Sequence, residues 1–287
     1  QKINDFFMNQ MSGAMTLGGA PVFFGDLLQE STGQNGSLLD RVKFDHKPHD
    51  IVGYLDRFVV GQEDAKRTLA TAVFYHYNAI RQELSGHPIS DYQKNNIVLI
   101  GNPGIGKTTL VKRIAELLNV PFGRYDASQF SPTGIVGKDA TGIVREMVMA
   151  AKLNKQLAEL GIVFVDEFDK LVKGYGVSGF GDSYGKDIQG TFLRILEDQE
   201  VDLIPEYHPL GMLSMGAGGK IKTKYMLFIV AGSFSGLDDI VAKRLGRGAI
   251  GFTTENKADD ASVRRHNLFL HATHQDLVEF LHHINNL

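Results

Sequence analysis

Apolar positions along this chain recur at two different periods, and the alternation between those periods predicts the fold. After Glu63, the residues Ala65, Leu69, Ala72, Val73, Tyr77 and Ile80 fall three or four apart, as on one buried helix face, and the pattern stops near Ser85 and Gly86. "NIVLI" at 96–100 is apolar without interruption, the pattern of a parallel strand covered on both faces. Helical spacing returns with Leu110, Ile114, Leu117 and Leu118. "VPFGRYDAS" at 120–128 predicts a second strand. Ile143, Met147, Ala150, Leu153, Leu157 and Leu160 stay in register as one longer helix leading into a third strand in "GIVFVDEFDK" at 161–170. A helix on Ile188, Phe192, Leu193 and Leu196 and a buried strand in "YMLFIVAG" at 225–232 complete the series.

Strands alternating with helices predict a three-layer α/β/α sandwich around a parallel sheet with right-handed crossovers. A ligand is then expected at the carboxyl ends of the strands. Residues 1–50 hold no period, and "GQNGS" at 33–37 reads as a loop, so 1–50 is expected to be a flexible extension and 51–287 the folded domain. No internal repeat interrupts the pattern.

Composition narrows the function classes. With 287 residues, 43% of them hydrophobic and 22% charged, the chain can bury a substantial core without disulfide or metal staples. No apolar run approaches the ~20 residues of a membrane-spanning helix, so no membrane role is expected. A net charge of −3 argues against broad capture of nucleic acid, and none is expected as a partner. Zero cysteines exclude disulfides and cysteine-ligated zinc and fit a reducing compartment. The chain opens at Gln1 with no secretory pattern, as expected of a fragment or processed product.

The chemistry concentrates in two segments. Gly101, Gly106, Lys107 and Thr108 fit G-x-x-x-x-G-K-[ST] between a predicted strand and a predicted helix. The backbone of Asn102, Pro103, Gly104, Ile105 and Gly106, continuing through Lys107, Thr108 and Thr109, would turn its N–H groups around phosphate oxygens at a helix N-terminus. Lys107 would bridge the outer phosphates and Thr108 would ligate magnesium. "IVFVDE" then ends an apolar strand in Asp166 and Glu167, which as neighbours on a strand point to opposite sides and are expected to do different jobs. Asp166 would hold hydrated magnesium, and Glu167 would polarise the attacking water. Ser233 either presents its hydroxyl to that water or caps the next helix. Val59 and Val60 of "VVGQ" either wrap an adenine ring or form an ordinary helix-entry turn. Near the end, Thr273 with Asp276 three residues on reads as a helix cap.

Taken in order, "LDRFVVGQEDAK", "GNPGIGKTT", "GIVFVDEFDK" and "AGSFSGLDDIVAKRLGRGAIGF" closely resemble the ClpX family of AAA+ protein unfoldases, from about Asp50 to Phe280. The resemblance implies the large ATPase domain of that family, with ATP and Mg2+ as cofactors and a homo-hexameric ring that threads protein substrates to a ClpP-like peptidase. It also implies work in the cytoplasm, or in the mitochondrial matrix of a eukaryote. In the family, the tripeptide matching Ile250, Gly251 and Phe252 docks into apolar clefts of the peptidase. The alternative for those three residues is a strand end tucked into this same domain. The related HslU family lacks that loop and is the nearest alternative family. A nucleotide-dependent assembly switch that does not translocate is the alternative function.

Three departures from the family qualify these expectations. The absence of cysteine leaves no ligands for the family's amino-terminal zinc domain. The first pore loop reads Ile135, Val136, Gly137, with isoleucine where the family has a gripping aromatic. Tyr175, Phe180 and Tyr184, set among glycines where the second pore loop belongs, would share the grip or else lie on a surface loop. Finally, the family's arginine finger and its small helical domain with a second arginine sensor fall beyond Leu287. Arg244, Arg247, Arg264 and Arg265 match neither position, so this chain alone is expected to bind ATP better than it hydrolyses it.

Overall fold

A computed structural model describes residues 16–17, 20–21, 42–87, 89, 94–129, 140–172, 192, 194–203, 219–245 and 268–285. Elements are numbered along the chain. A minimal antiparallel pair, β1 (Thr16–Leu17) and β2 (Ala20–Pro21), precedes α1 (Pro48–Leu55) and α2 (Glu63–Leu84). Then come β3 (Ile97–Ile100), α3 (Lys107–Leu118), β4 (Phe122–Asp126) with a 3-10 turn at Ala127–Gln129, α4 (Ala140–Ala150) and α5 (Lys155–Ala158). The chain continues through β5 (Ile162–Asp166), α6 (Phe168–Val172), β6 (Glu200–Asp202), β7 (Lys220–Lys222), β8 (Leu227–Gly232), α7 (Leu237–Arg244) and α8 (His274–Asn285).

The central sheet has the order β3-β8-β5-β4, with all neighbours parallel, as the alternating pattern predicts. Strand alternation divides the core into two layers. Ile162, Phe164, Leu227, Ile229 and Ala231 face α1, α2 and α3, while Val163, Val165, Phe228 and Val230 face α4 and the segment around Phe192 and Ile195. Asp166 has the same parity as Phe164, so it emerges on the α3 side. A third cluster of Phe234, Leu237, Val241 and Phe280 packs α7 and α8 against the sheet's end.

Long side chains secure α2. Tyr77 Oη donates to the Leu160 carbonyl at 2.8 Å, ahead of β5, and His76 Nε2 lies 2.9 Å from the Tyr225 carbonyl, ahead of β8. Lys66 is 1% exposed and reaches Asp56 at 2.6 Å, clamping the connection between α1 and α2. This hydrogen bond raises the lysine's pKa.

Several expectations change. Packing begins ahead of the boundary at residue 51, because Val42 and Phe44 are buried and α1 starts at Pro48. The single helix expected from Ile143 to Leu160 is two. Lys152 and Leu153 take left-handed φ values of 53° and 64°, and the Asn154 side chain then caps α5 by accepting from Leu157 N. An apolar register that continues across the break hides it from periodicity. β3 is not covered on both faces: it is an edge among the described strands, and Val98 is 37% exposed. Of the helix expected around 188–196, Phe192 and residues 194–196 are helical, while Ile188 and Leu193 lie outside the described residues. Thr273 and Asp276 form the cap as read, with Thr273 N and Oγ1 each donating to Asp276 Oδ2 at 2.7 Å.

Candidate functional site

At the carboxyl ends of β3, β5 and β8 the strands stop and three turns converge on a pocket of about 460 Å³. Gly106 starts α3 with φ 94°, a left-handed backbone that favours glycine, so the first amides of the helix face the pocket. At Gly232, which ends β8, an added Cβ would meet Asp169 Oδ1 at 2.2 Å, so a side chain there would displace the Asp169 carboxylate from its present position.

The pocket is lined by Pro103, Gly104, Gly106, Lys107, Thr108 and Thr109 from the loop and helix start, by Asp166 and Glu167, and by Ser233. Thr108 Oγ1 is 3.5 Å from Asp166 Oδ2, so the two residues expected to share magnesium stand together. Lys107 Nζ donates to the carbonyls of Gly101 and Asn102 at 2.7 and 2.9 Å. Partial burial lowers its pKa, opposed by the charges of Asp166 and Asp169. These features fit a magnesium-bound polyphosphate: helix-end amides and an ammonium group for the anion, a hydroxyl and a carboxylate for a cation that keeps most of its water.

Glu167 does not continue the strand. Its φ of 55° is left-handed, so the expectation that neighbouring strand residues set its direction is replaced by a turn that throws the carboxylate sideways. There it pairs with Lys170, one turn along α6. Ser233 does not cap α7, whose N-cap is Gly236. Its hydroxyl donates to Asp169 Oδ2 at 2.9 Å, and Phe234 N donates to the same oxygen at 3.2 Å.

Four expected contact residues lie off the pocket lining. Asn102 contributes its carbonyl to Lys107, and the Ile105 side chain folds back over Gly101. Val59 is 8% exposed and belongs to the core, whereas Val60 is 96% exposed. "VVGQ" forms a helix-entry turn in which Gly61 and Gln62 are both left-handed, and Gln62 Nε2 donates to the Ile105 carbonyl at 2.6 Å. The pore residues Ile135, Val136, Gly137, Tyr175, Phe180 and Tyr184, and the tripeptide Ile250, Gly251 and Phe252, lie outside the described residues.

Sequence reasoning missed Asp169, Lys170 and Arg124, all on the pocket wall. The second aspartate of "DEFDK" signals Asp169, three residues past Asp166 and 5% exposed. Arg124 is signalled by a cation inside an otherwise strand-like run.

A family model described as AAA domain (Cdc48 subfamily) matches residues 92–278. Among similar proteins is the "ATP-dependent Clp protease ATP-binding subunit ClpX" of Bacteroides fragilis, 37% identical over 238 residues, which is 82% of this chain and 55% of that protein. The subunit of the same name from Bacteroides thetaiotaomicron is 35% identical over 263 residues, covering 89% of this chain and 62% of that one. That of Porphyromonas gingivalis is 34% identical over 238 residues, or 82% and 56% of the two chains. The chain thus spans somewhat more than half the length of these relatives. No helix among the described residues is long and apolar enough to cross a membrane. With a phosphate-type loop, a strand-end acid pair and a matched parallel-sheet core on one scaffold, the chain belongs to the AAA domain family and is ClpX-like within it.

Proposed function

We propose that this chain is the large ATPase domain of a protein unfoldase, binding and hydrolysing ATP with Mg2+ in a homo-hexameric ring that feeds polypeptide to a ClpP-like peptidase. The observation that carries the reading is the meeting of Thr108, Asp166 and Lys107 at one end of the sheet, in a chain whose relatives are named as ATP-binding subunits of the Clp protease.

Bound Mg2+–ATP supplies the phosphoryl group and a cation that draws charge from it. The α3 amides and Lys107 hold the phosphates, and Thr108 and Asp166 hold the cation through oxygen. Glu167 takes the proton of the attacking water, which requires it to leave Lys170. Ser233, oriented by Asp169, directs that water. Polypeptide grip by Ile135, Tyr175, Phe180 and Tyr184, and docking through Ile250, Gly251 and Phe252, belong to the same proposal. Cytoplasmic location, or the mitochondrial matrix in a eukaryote, is supported by the cysteine-free composition.

A second reading, a nucleotide-dependent assembly switch, is favoured by the engagement of Glu167 with Lys170. Turnover of ATP measured with and without denatured casein separates the two. The unfoldase reading expects polypeptide to accelerate turnover. Turnover indifferent to polypeptide, with nucleotide still driving assembly in sedimentation, overturns it in favour of the switch.

A further inference from the structure

β4 carries a cation to the pocket from the middle of a strand. Gly123 and Tyr125 are buried and Arg124 between them is exposed; Phe122 packs into the core layer under α3, so Arg124 has the parity of that side. One guanidinium nitrogen of Arg124 lies 3.4 Å from Asp166 Oδ2, the same oxygen that Thr108 Oγ1 approaches at 3.5 Å. The side chain is 60% exposed and lines the pocket with Lys107. An ion pair that open contributes little to folding. Its value lies in where the charge sits.

We propose that Arg124 is a phosphate-binding residue that sets how strongly this pocket depends on metal. Three cationic side chains line the pocket: Lys107, Lys170 and Arg124. Lys107 is directed to two loop carbonyls and Lys170 to Glu167. Arg124 is held by Asp166, the carboxylate that a divalent cation would claim. When metal takes Asp166, the guanidinium loses its partner and is repelled by the new charge. Without metal, Arg124 stays beside Asp166, at the edge of the phosphate site, and its planar fork suits phosphate oxygens. The arginine therefore substitutes for part of the metal's charge when metal is scarce and adds little when metal is abundant.

The inference rests on the nucleotide reading of the site, and calorimetry of the whole chain with ADP and with a non-hydrolysable ATP analogue tests both. In EDTA, Arg124→Ala is expected to weaken binding about tenfold, the size of one lost charge-assisted hydrogen bond. In saturating Mg2+ the loss is expected to stay below about threefold. Arg124→Lys keeps the charge and recovers most of the metal-free affinity. An unchanged melting temperature shows that the variants are folded. Equal losses with and without Mg2+, or no loss in EDTA, overturn the role of Arg124. A wild-type chain that binds neither nucleotide under either condition overturns the nucleotide reading itself.

Discussion

Asp166 Oδ2 has Thr108 and Arg124 beside it, while Asp166 Oδ1 accepts the Glu167 amide at 3.0 Å. Lys107→Ala removes the ammonium from the phosphate site and is expected to weaken nucleotide affinity by about a hundredfold, near the sum of two charge-assisted hydrogen bonds. Glu167→Gln is expected to leave affinity intact while turnover falls by roughly 10² to 10⁴. Calorimetry and a phosphate-release assay measured on the same samples check the pair, and parallel losses in both quantities would sink the assignment. At this scale the sequence was legible where a residue type is bound to a position in a motif, as with Lys107, Thr108 and Asp166. It was not legible for Glu167, because a φ of 55° is invisible in a run that reads as strand. Asp169 escaped because its partners, Ser233 and Phe234, lie more than sixty residues away.

The elements show the same division between local and tertiary control. β5 and β8 were readable because both faces of each are covered, so apolar character runs unbroken along both strands. The break between α4 and α5 was not, since Leu153 and Leu157 keep their apolar spacing through a left-handed turn. Lys152 is exposed and carries φ 53° at that turn, a conformation that costs a side-chain-bearing residue about 1–2 kcal/mol. Glycine there loses roughly 0.4–1 kcal/mol through unfolded-state entropy. Lys152→Gly is therefore expected to raise stability by up to about 1 kcal/mol, read as a higher urea midpoint at unchanged slope. A lower midpoint would show that the turn is not strained.

Across the whole molecule, buried ionisable groups tie separate elements together and set the response to pH. His76, 3% exposed between α2 and the entry to β8, has its pKa pushed down by burial to about 4. The folded state thus resists the proton that the unfolded chain accepts below its ordinary value of 6.5. Stability is expected to be fully present above pH 6.5 and to fall by about 1.4 kcal/mol per unit as pH drops toward 4. Asp276, lowered to about 2 chiefly by its hydrogen bond to Arg244, adds a second fall only below pH 3.8. Urea midpoints between pH 4.5 and 7 should show the first slope in the wild type and a flatter one in His76→Gln, and identical slopes would remove His76 as the cause.

The grip of Gln62 on the Ile105 carbonyl carries a last consequence. The phosphate-type loop is shaped partly from outside its own motif, by the residue that opens a helix more than forty positions earlier. A ligand arriving there meets a mould already set, and little of its affinity is spent on stilling the loop. A chain with every signature residue intact and a different side chain at position 62 would have to draw on that affinity to do the same.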